Sequence, residues 1–115
     1  MTKLERVALR ILELPLRFLA WFNDMQCRER CEAHPTVTFL PGAKIVNPPW
    51  LPYRIKIGAH SIIACEIALC TRGASVTIGE WCYIGPDTVI AAIGDLVIGD
   101  RAFISHRCKI TDMEI

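Results

Sequence analysis

Residues 55–115 predict a mainly β protein, a three-sided parallel β-helix, with an α-helical segment ahead of it. Three observations lead there. Aliphatic residues recur every six positions: Ile57, Ile63 and Leu69, then Ile78, Ile84 and Ile90, then Ile98, Ile104 and Ile110. Gly58, Gly79, Gly85 and Gly99 each follow one of these residues, where a turning chain uses backbone angles that other residues avoid. A further apolar residue stands two positions ahead of each group, at Ile55, Val76 and Leu96, so alternate side chains point to one face of a short strand. A period of six fits neither the helical repeat of about 3.6 residues nor the longer strands of a sandwich.

The three groups restart after 21 and 20 residues, whereas three hexads need 18. The surplus is expected as small loops at one corner, near 71–75 and 93–95. Four positions after the aliphatic residues come Ser61, Ile67, Cys82, Thr88, Ala102 and Cys108, mostly small, as a narrow tube requires. Strands this short gain their stability by stacking, and at least three coils are needed. The first and last coils present open edges that must be covered or paired.

Residues 1–33 read as helix. Leu4, Val7, Ala8, Ile11, Leu12, Leu14, Phe18, Leu19 and Phe22 fall mostly at three- and four-residue steps and form an apolar face. Thr2 and Glu5 have the spacing of a capping box. Pro15 removes a backbone donor, so a kink or a break into two helices is expected. Arg6, Arg10 and Arg17 lie on roughly one side. A basic amphipathic helix can lie on a membrane surface, but packing on its own domain or on a neighbouring subunit is the expected use. Residues 34–54 form a Pro-rich connector with Pro35, Pro41, Pro48, Pro49 and Pro52, within which 39–45 can supply a partial first coil. Helix and connector are expected to cap the coils that follow.

Composition bounds the function classes. The chain is one domain in length, 52% hydrophobic and 22% charged, which excludes intrinsic disorder. A net charge of +1 with no basic run argues against nucleic acid as the main partner. Charges at Arg6, Arg10, Glu13 and Arg17 interrupt the apolar stretch over 4–22, so no membrane span of about 20 apolar residues is expected. The six cysteines lack the paired spacing of a secreted mini-protein, and reduced thiols in the cytoplasm are expected. Cys27 and Cys31, four apart on a helix, share a face but have no matching Cys or His pair, so two half-buried thiols are expected there.

The runs Ile57-Gly58-Ala59-His60-Ser61-Ile62, Ile78-Gly79-Glu80-Trp81-Cys82-Tyr83-Ile84-Gly85-Pro86 and Ile98-Gly99-Asp100-Arg101-Ala102-Phe103-Ile104-Ser105 resemble the hexapeptide-repeat acyltransferases. The resemblance is nearest to the O-acetyltransferases of sugars and surface polysaccharides, akin to the maltose and galactoside acetyltransferases. It implies a left-handed parallel β-helix, against the usual right-handed crossover rule, and a homotrimer with the active site between subunits. It also implies acetyl-CoA as acyl donor and a sugar or polysaccharide-precursor hydroxyl as acceptor. The chemistry it implies is direct transfer: a His acts as general base on the hydroxyl, which attacks the thioester carbonyl, and N–H or polar groups hold the oxyanion.

By the same resemblance, Asp112 matches an acidic residue found a few positions ahead of the catalytic His, where it can hold the imidazole in the right tautomer. The chain then reads Met113-Glu114-Ile115 with no His. It is therefore expected to lack the family's general base and to be inactive, or nearly so, as given. The alternative is a non-enzymatic β-helix that assembles or scaffolds. His106, on the last coil, is the best placed of the three histidines to line a subunit interface. His34 reads as a turn residue and His60 as an exposed coil residue. Asp87, after Gly85-Pro86, sits one coil earlier, where a turn is the expected role. A zinc enzyme on the same coil needs three protein ligands. With His60 and His106 lying 46 residues apart and no close His pair, no metal site is expected.

Overall fold

A computed structural model describes residues 2–47 and 51–112, with the backbone alone over 7–16. Pro48 and Pro49 of the connector, and the segment 113–115, lie outside the described residues. Among the described residues one helix, α1 (Lys3–Glu29), precedes twelve short strands that wind through four coils. Face one stacks β1 (Glu32–Ala33), β4 (Ile55–Ile57), β7 (Ser75–Ile78) and β10 (Asp95–Ile98). Face two stacks β2 (Thr38–Phe39), β5 (Ile62–Ile63), β8 (Tyr83–Ile84) and β11 (Phe103–Ile104). Face three stacks β3 (Lys44–Val46), β6 (Glu66–Leu69), β9 (Val89–Ala92) and β12 (Lys109–Thr111). Every pairing is parallel, so the chain is a three-sided parallel β-helix with one N-terminal helix.

The hydrophobic effect selects the register. Ile57, Ile78 and Ile98 pair in sequence on face one, and Phe39, Ile63, Ile84 and Ile104 do so on face two. Face three carries Ile45, Ile67, Ile90 and Ile110. Ile45, Ile63, Ile67, Ile78, Ile84 and Ile90 are fully buried, each contributing roughly 1.5–3 kcal/mol. Slipping any strand by one residue would turn its aliphatic side chain outward. The small inward positions satisfy their polar atoms along the stack. Ser61 Oγ donates to the Gly79 carbonyl at 2.8 Å and accepts from Cys82 N–H, and Thr88 Oγ1 accepts from Cys108 N–H.

Three expectations need correction. Leu69 is not in the isoleucine column: it pairs with Ala92, and Ile67 holds the column position. The step from Ile63 to Ile67 is four residues, where Ile84 to Ile90 and Ile104 to Ile110 are six, so coil two turns from face two to face three with two residues fewer. The glycines after the aliphatic residues are not there for backbone angle. The positive-φ residues are His60, Trp81, Asp87, Arg101 and Arg107, near 60°, together with Gly42 at 96°. What glycine supplies is closeness: a Cβ on Gly58 would stand 2.7 Å from the Gly79 carbonyl carbon, and one on Gly85 would stand 2.6 Å from that of Ser105. Finally, Pro15 does not divide the helix, which runs unbroken from Lys3 to Glu29. One missing donor in a 27-residue helix leaves the turns on either side to hold the backbone.

The surplus residues fall where spacing placed them. The passage from face three to face one carries loops at 70–74 and 93–94, and in coil one a larger excursion ending in a 3-10 turn, Pro52–Arg54. Coil one is complete, with strands on all three faces. Its lower edge is covered by the foot of α1. Cys27 and Cys31 enter the core, Cys27 Sγ lies 3.5 Å from the Ala43 carbonyl, and Arg30 donates to the Ile45 carbonyl at 3.1 Å. Arg28 donates to the Val37 carbonyl, pairs with Asp24 at 2.9 Å and stacks over Phe39. These donors reach carbonyls at an edge that has no coil beneath it, which meets the edge-strand problem directly. At the other end of the helix Thr2 and Glu5 close the expected capping box, each bond 3.3 Å. No helix among the described residues is long and apolar enough to cross a membrane.

Candidate functional site

The corner between faces two and three brings together the polar residues of interest, and chain length around that corner shapes it. Coil one turns through Leu40-Pro41-Gly42-Ala43, coil three through Gly85-Pro86-Asp87-Thr88 and coil four through Ser105-His106-Arg107-Cys108. Coil two has only Ala64-Cys65 there. The missing pair corresponds to the turn tip, which in the other coils includes a positive-φ residue: Gly42, Asp87 or Arg107. With that tip absent, the corner retracts and leaves an open recess of about 310 Å³ lined by Gly42, Lys44, Ala64, Glu66, Asp87 and Thr88. Lys44 and Glu66 are register partners on β3 and β6, so opposite charges stand side by side at its rim. None of Lys44, Glu66 or Thr88 was legible as a site residue. The available signal was the four-residue step between Ile63 and Ile67 beside the six-residue steps above and below.

His106 stands at this corner on coil four, exposed, with Nδ1 2.9 Å from Ser105 Oγ. The next residue, Arg107, ties the corner to the coil below through its N–H to the Pro86 carbonyl at 3.1 Å. Asp87 is exposed at the same corner, in the left-handed turn conformation. Asp112 is not at this corner. It follows β12 and sits at the far end of face three, where its two oxygens accept the Ile93 and Gly94 N–H groups, both at 2.8 Å. Those two backbone bonds hold its carboxyl below the ordinary value of 3.8. Within one chain the strand β12 separates His106 from Asp112. Asp112 clamps the corner loop of the coil below it, as a short acidic side chain at a turn commonly does.

The other two histidines are used locally. His34 Nδ1 accepts from Thr36 N–H at 3.2 Å and lies 2.7 Å from the Thr36 hydroxyl. His60 stacks on Trp81 with ring centroids 4.3 Å apart, and its backbone N–H donates to Thr36 Oγ1. Cys27, Cys31 and Cys65 are buried thiols pushed up by desolvation to about 11, 12 and 12, which suits packing and not nucleophilic attack. Among the described residues no group of three or more His, Cys, Asp and Glu side chains converges to hold a metal ion.

The outer surface of face two was missed as well. Ile62, Tyr83 and Phe103 are register partners that point outward, Tyr83 and Phe103 stack at 5.1 Å, and Phe103 is 75% exposed. Only the inward half of each strand's alternation was read from the hexads, and this stripe occupies the outward half. Against family models, curated proteins and solved structures alike, the chain finds no match, so its assignment rests on the fold and on the geometry described above.

Proposed function

We propose that this β-helix serves acyl transfer, with acetyl-CoA as donor and a sugar or polysaccharide-precursor hydroxyl as acceptor. The observation that carries the reading is an exposed imidazole, His106, at a corner of a three-sided parallel β-helix, hydrogen-bonded through Nδ1 to Ser105. With the proton on Nδ1 and donated to Ser105 Oγ, the Nε2 lone pair is available to take the proton of an acceptor hydroxyl. The hydroxyl oxygen then attacks the thioester carbonyl, the C–S bond breaks, and the thiolate takes up a proton as free CoA. Asp112 is bound to the backbone at the other end of face three, so it does not orient this imidazole within one chain. A homotrimer with its site between subunits belongs to the reading, and turnover is expected of the trimer and not of a single subunit.

Calorimetric titration with acetyl-CoA tests the lineage, and release of CoA thiol with a panel of sugars tests the chemistry. Binding of acetyl-CoA supports the proposal, and no binding at millimolar ligand overturns it. Transfer that is abolished by His106→Ala would show that the chain carries its own general base. A second reading, a non-enzymatic assembly module, is favoured by one observation: the outward stripe of Ile62, Tyr83 and Phe103 is uncovered. It predicts concentration-dependent association in light scattering that Phe103→Ser removes, with no acetyl-CoA binding.

A further inference from the structure

We propose that α1 is a docking helix for an anionic bilayer surface, lying in the interface with its Phe18, Trp21 and Phe22 side against the lipid. The helix is amphipathic, yet Leu4, Phe18, Leu19 and Phe22 of its apolar side remain exposed. The residues that enter the β-helix are Cys27 and Cys31, with Arg28 and Arg30 holding edge carbonyls. Cys27 lies roughly 140° around the helix axis from Phe22, at about 100° per residue. The apolar side points elsewhere: Leu4 is 83% exposed, Phe18 60%, Leu19 59% and Trp21 59%. Phe18 gathers the aromatic cluster, with ring centroids 6.0 Å from Trp21 and 6.3 Å from Phe22. Leu4 and Phe22, about five turns apart, fall on one line along the helix, and both are exposed.

Shape makes this stripe reachable. The molecule measures 58 × 28 × 27 Å. Four coils at a spacing of about 4.8 Å rise only about 15–20 Å. A helix of 27 residues, roughly 40 Å long, accounts for most of the remainder and projects beyond the coils.

Charge selects the occupant. Between Lys3 and Phe22 the sequence holds Lys3, Arg6, Arg10 and Arg17 against Glu5 and Glu13. A second copy would bring the same positive surplus to the contact, whereas anionic headgroups complement it. Aromatic and aliphatic residues on one side of a helix, with Lys and Arg in excess and too little apolar length to span, are the physical requirements for lying in the interface.

The test uses the full chain and sedimentation with vesicles, phosphatidylglycerol mixed with phosphatidylcholine in one set and phosphatidylcholine alone in the other. Partitioning is expected to be about tenfold or more stronger onto the anionic vesicles and to fall as salt is raised. The double variant Phe18→Ser/Phe22→Ser is expected to lose about tenfold or more of that binding, while Val97→Ser, exposed on face one, leaves it unchanged. If the double variant fails to fold, judged by circular dichroism, Lys3→Glu/Arg6→Glu at two exposed positions replaces it, with a comparable loss expected. No sedimentation with anionic vesicles, or equal binding to both lipids, overturns the proposal. So does an oligomer, seen by light scattering without vesicle binding, that Phe18→Ser/Phe22→Ser converts to monomer, because a second copy then covers the stripe.

Discussion

Gly85→Ala should be among the most damaging single-methyl additions in this protein, and Gly99→Ala among the most harmless. Both glycines follow an inward isoleucine in the same hexad pattern. Neither has positive φ, so left-handed backbone strain enters at neither site. They differ in what lies above them. A Cβ at Gly85 would fall on the Ser105 carbonyl, 2.6 Å from its carbon and closer still to its oxygen, whereas nothing lies within 4 Å of one at Gly99. The Ser105 backbone cannot swing aside as a side chain can. Coil four must lift from coil three at that corner by roughly 2 Å before contact distances become ordinary. Two hydrogen bonds hold the corner closed, Gly85 N–H to the Ile104 carbonyl at 2.8 Å and Arg107 N–H to the Pro86 carbonyl at 3.1 Å. Losing both costs about 2 kcal/mol, and overpacking adds about 1–3 kcal/mol. The expected loss is therefore about 3–5 kcal/mol for Gly85→Ala, against about 0.5 kcal/mol or less either way for Gly99→Ala. Urea unfolding followed by circular dichroism measures both. If Gly85→Ala unfolds within about 1 kcal/mol of the parent, or the two variants are equally destabilised, close coil stacking is not what these glycines serve.

Other consequences are as direct. Ile84→Ala, in the middle of a fully buried column, should cost about 2–5 kcal/mol, and Ile104→Ala, half-buried on the last coil, clearly less in the same unfolding assay. Asp112→Asn should destabilise at neutral pH, because an amide oxygen accepts while its NH₂ group opposes the second N–H. The folded carboxyl titrates below its ordinary 3.8, so its contribution is present above that value and lost as pH falls through the folded one. The stability difference between parent and Asp112→Asn should accordingly close under acid, read as urea midpoint against pH. Thiol labelling of the native chain at pH 8 should modify Cys70 first, since it alone is exposed, and leave Cys27, Cys31 and Cys65 unmodified until the chain unfolds. Mass spectrometry of the labelled peptides reads the order.

The fold was legible because its cause is periodic. An inward aliphatic residue at each sixth position, with alternation inside each short strand, can be satisfied only by a coil that returns to the same face at each turn, and the columns on face one and face two follow from it. The capping box at Thr2 and Glu5 and the corner loops at 70–74 and 93–94 are local features and were equally plain. The glycine role was misread because closeness between coils involves residues about 20 positions apart, such as Gly85 and Ser105, and no local rule reports it. Helix periodicity showed that α1 is amphipathic but not which side it turns to its own domain. That depended on where the edge carbonyls of coil one stand and on Cys27, Arg28 and Arg30 being able to reach them.

By itself the sequence determined the coil and the inward columns of faces one and two, and where the surplus between face three and face one is looped out. Those are properties of one chain segment against water, and burial of Ile and Val settles them turn by turn. The tertiary structure alone decided the recess beside Lys44 and Glu66, the separation of His106 from Asp112 by β12, and the exposure of Phe18 and Trp21. Each depends on the offset between coils, or between helix and coil, and that offset is set by contacts between residues far apart in the chain.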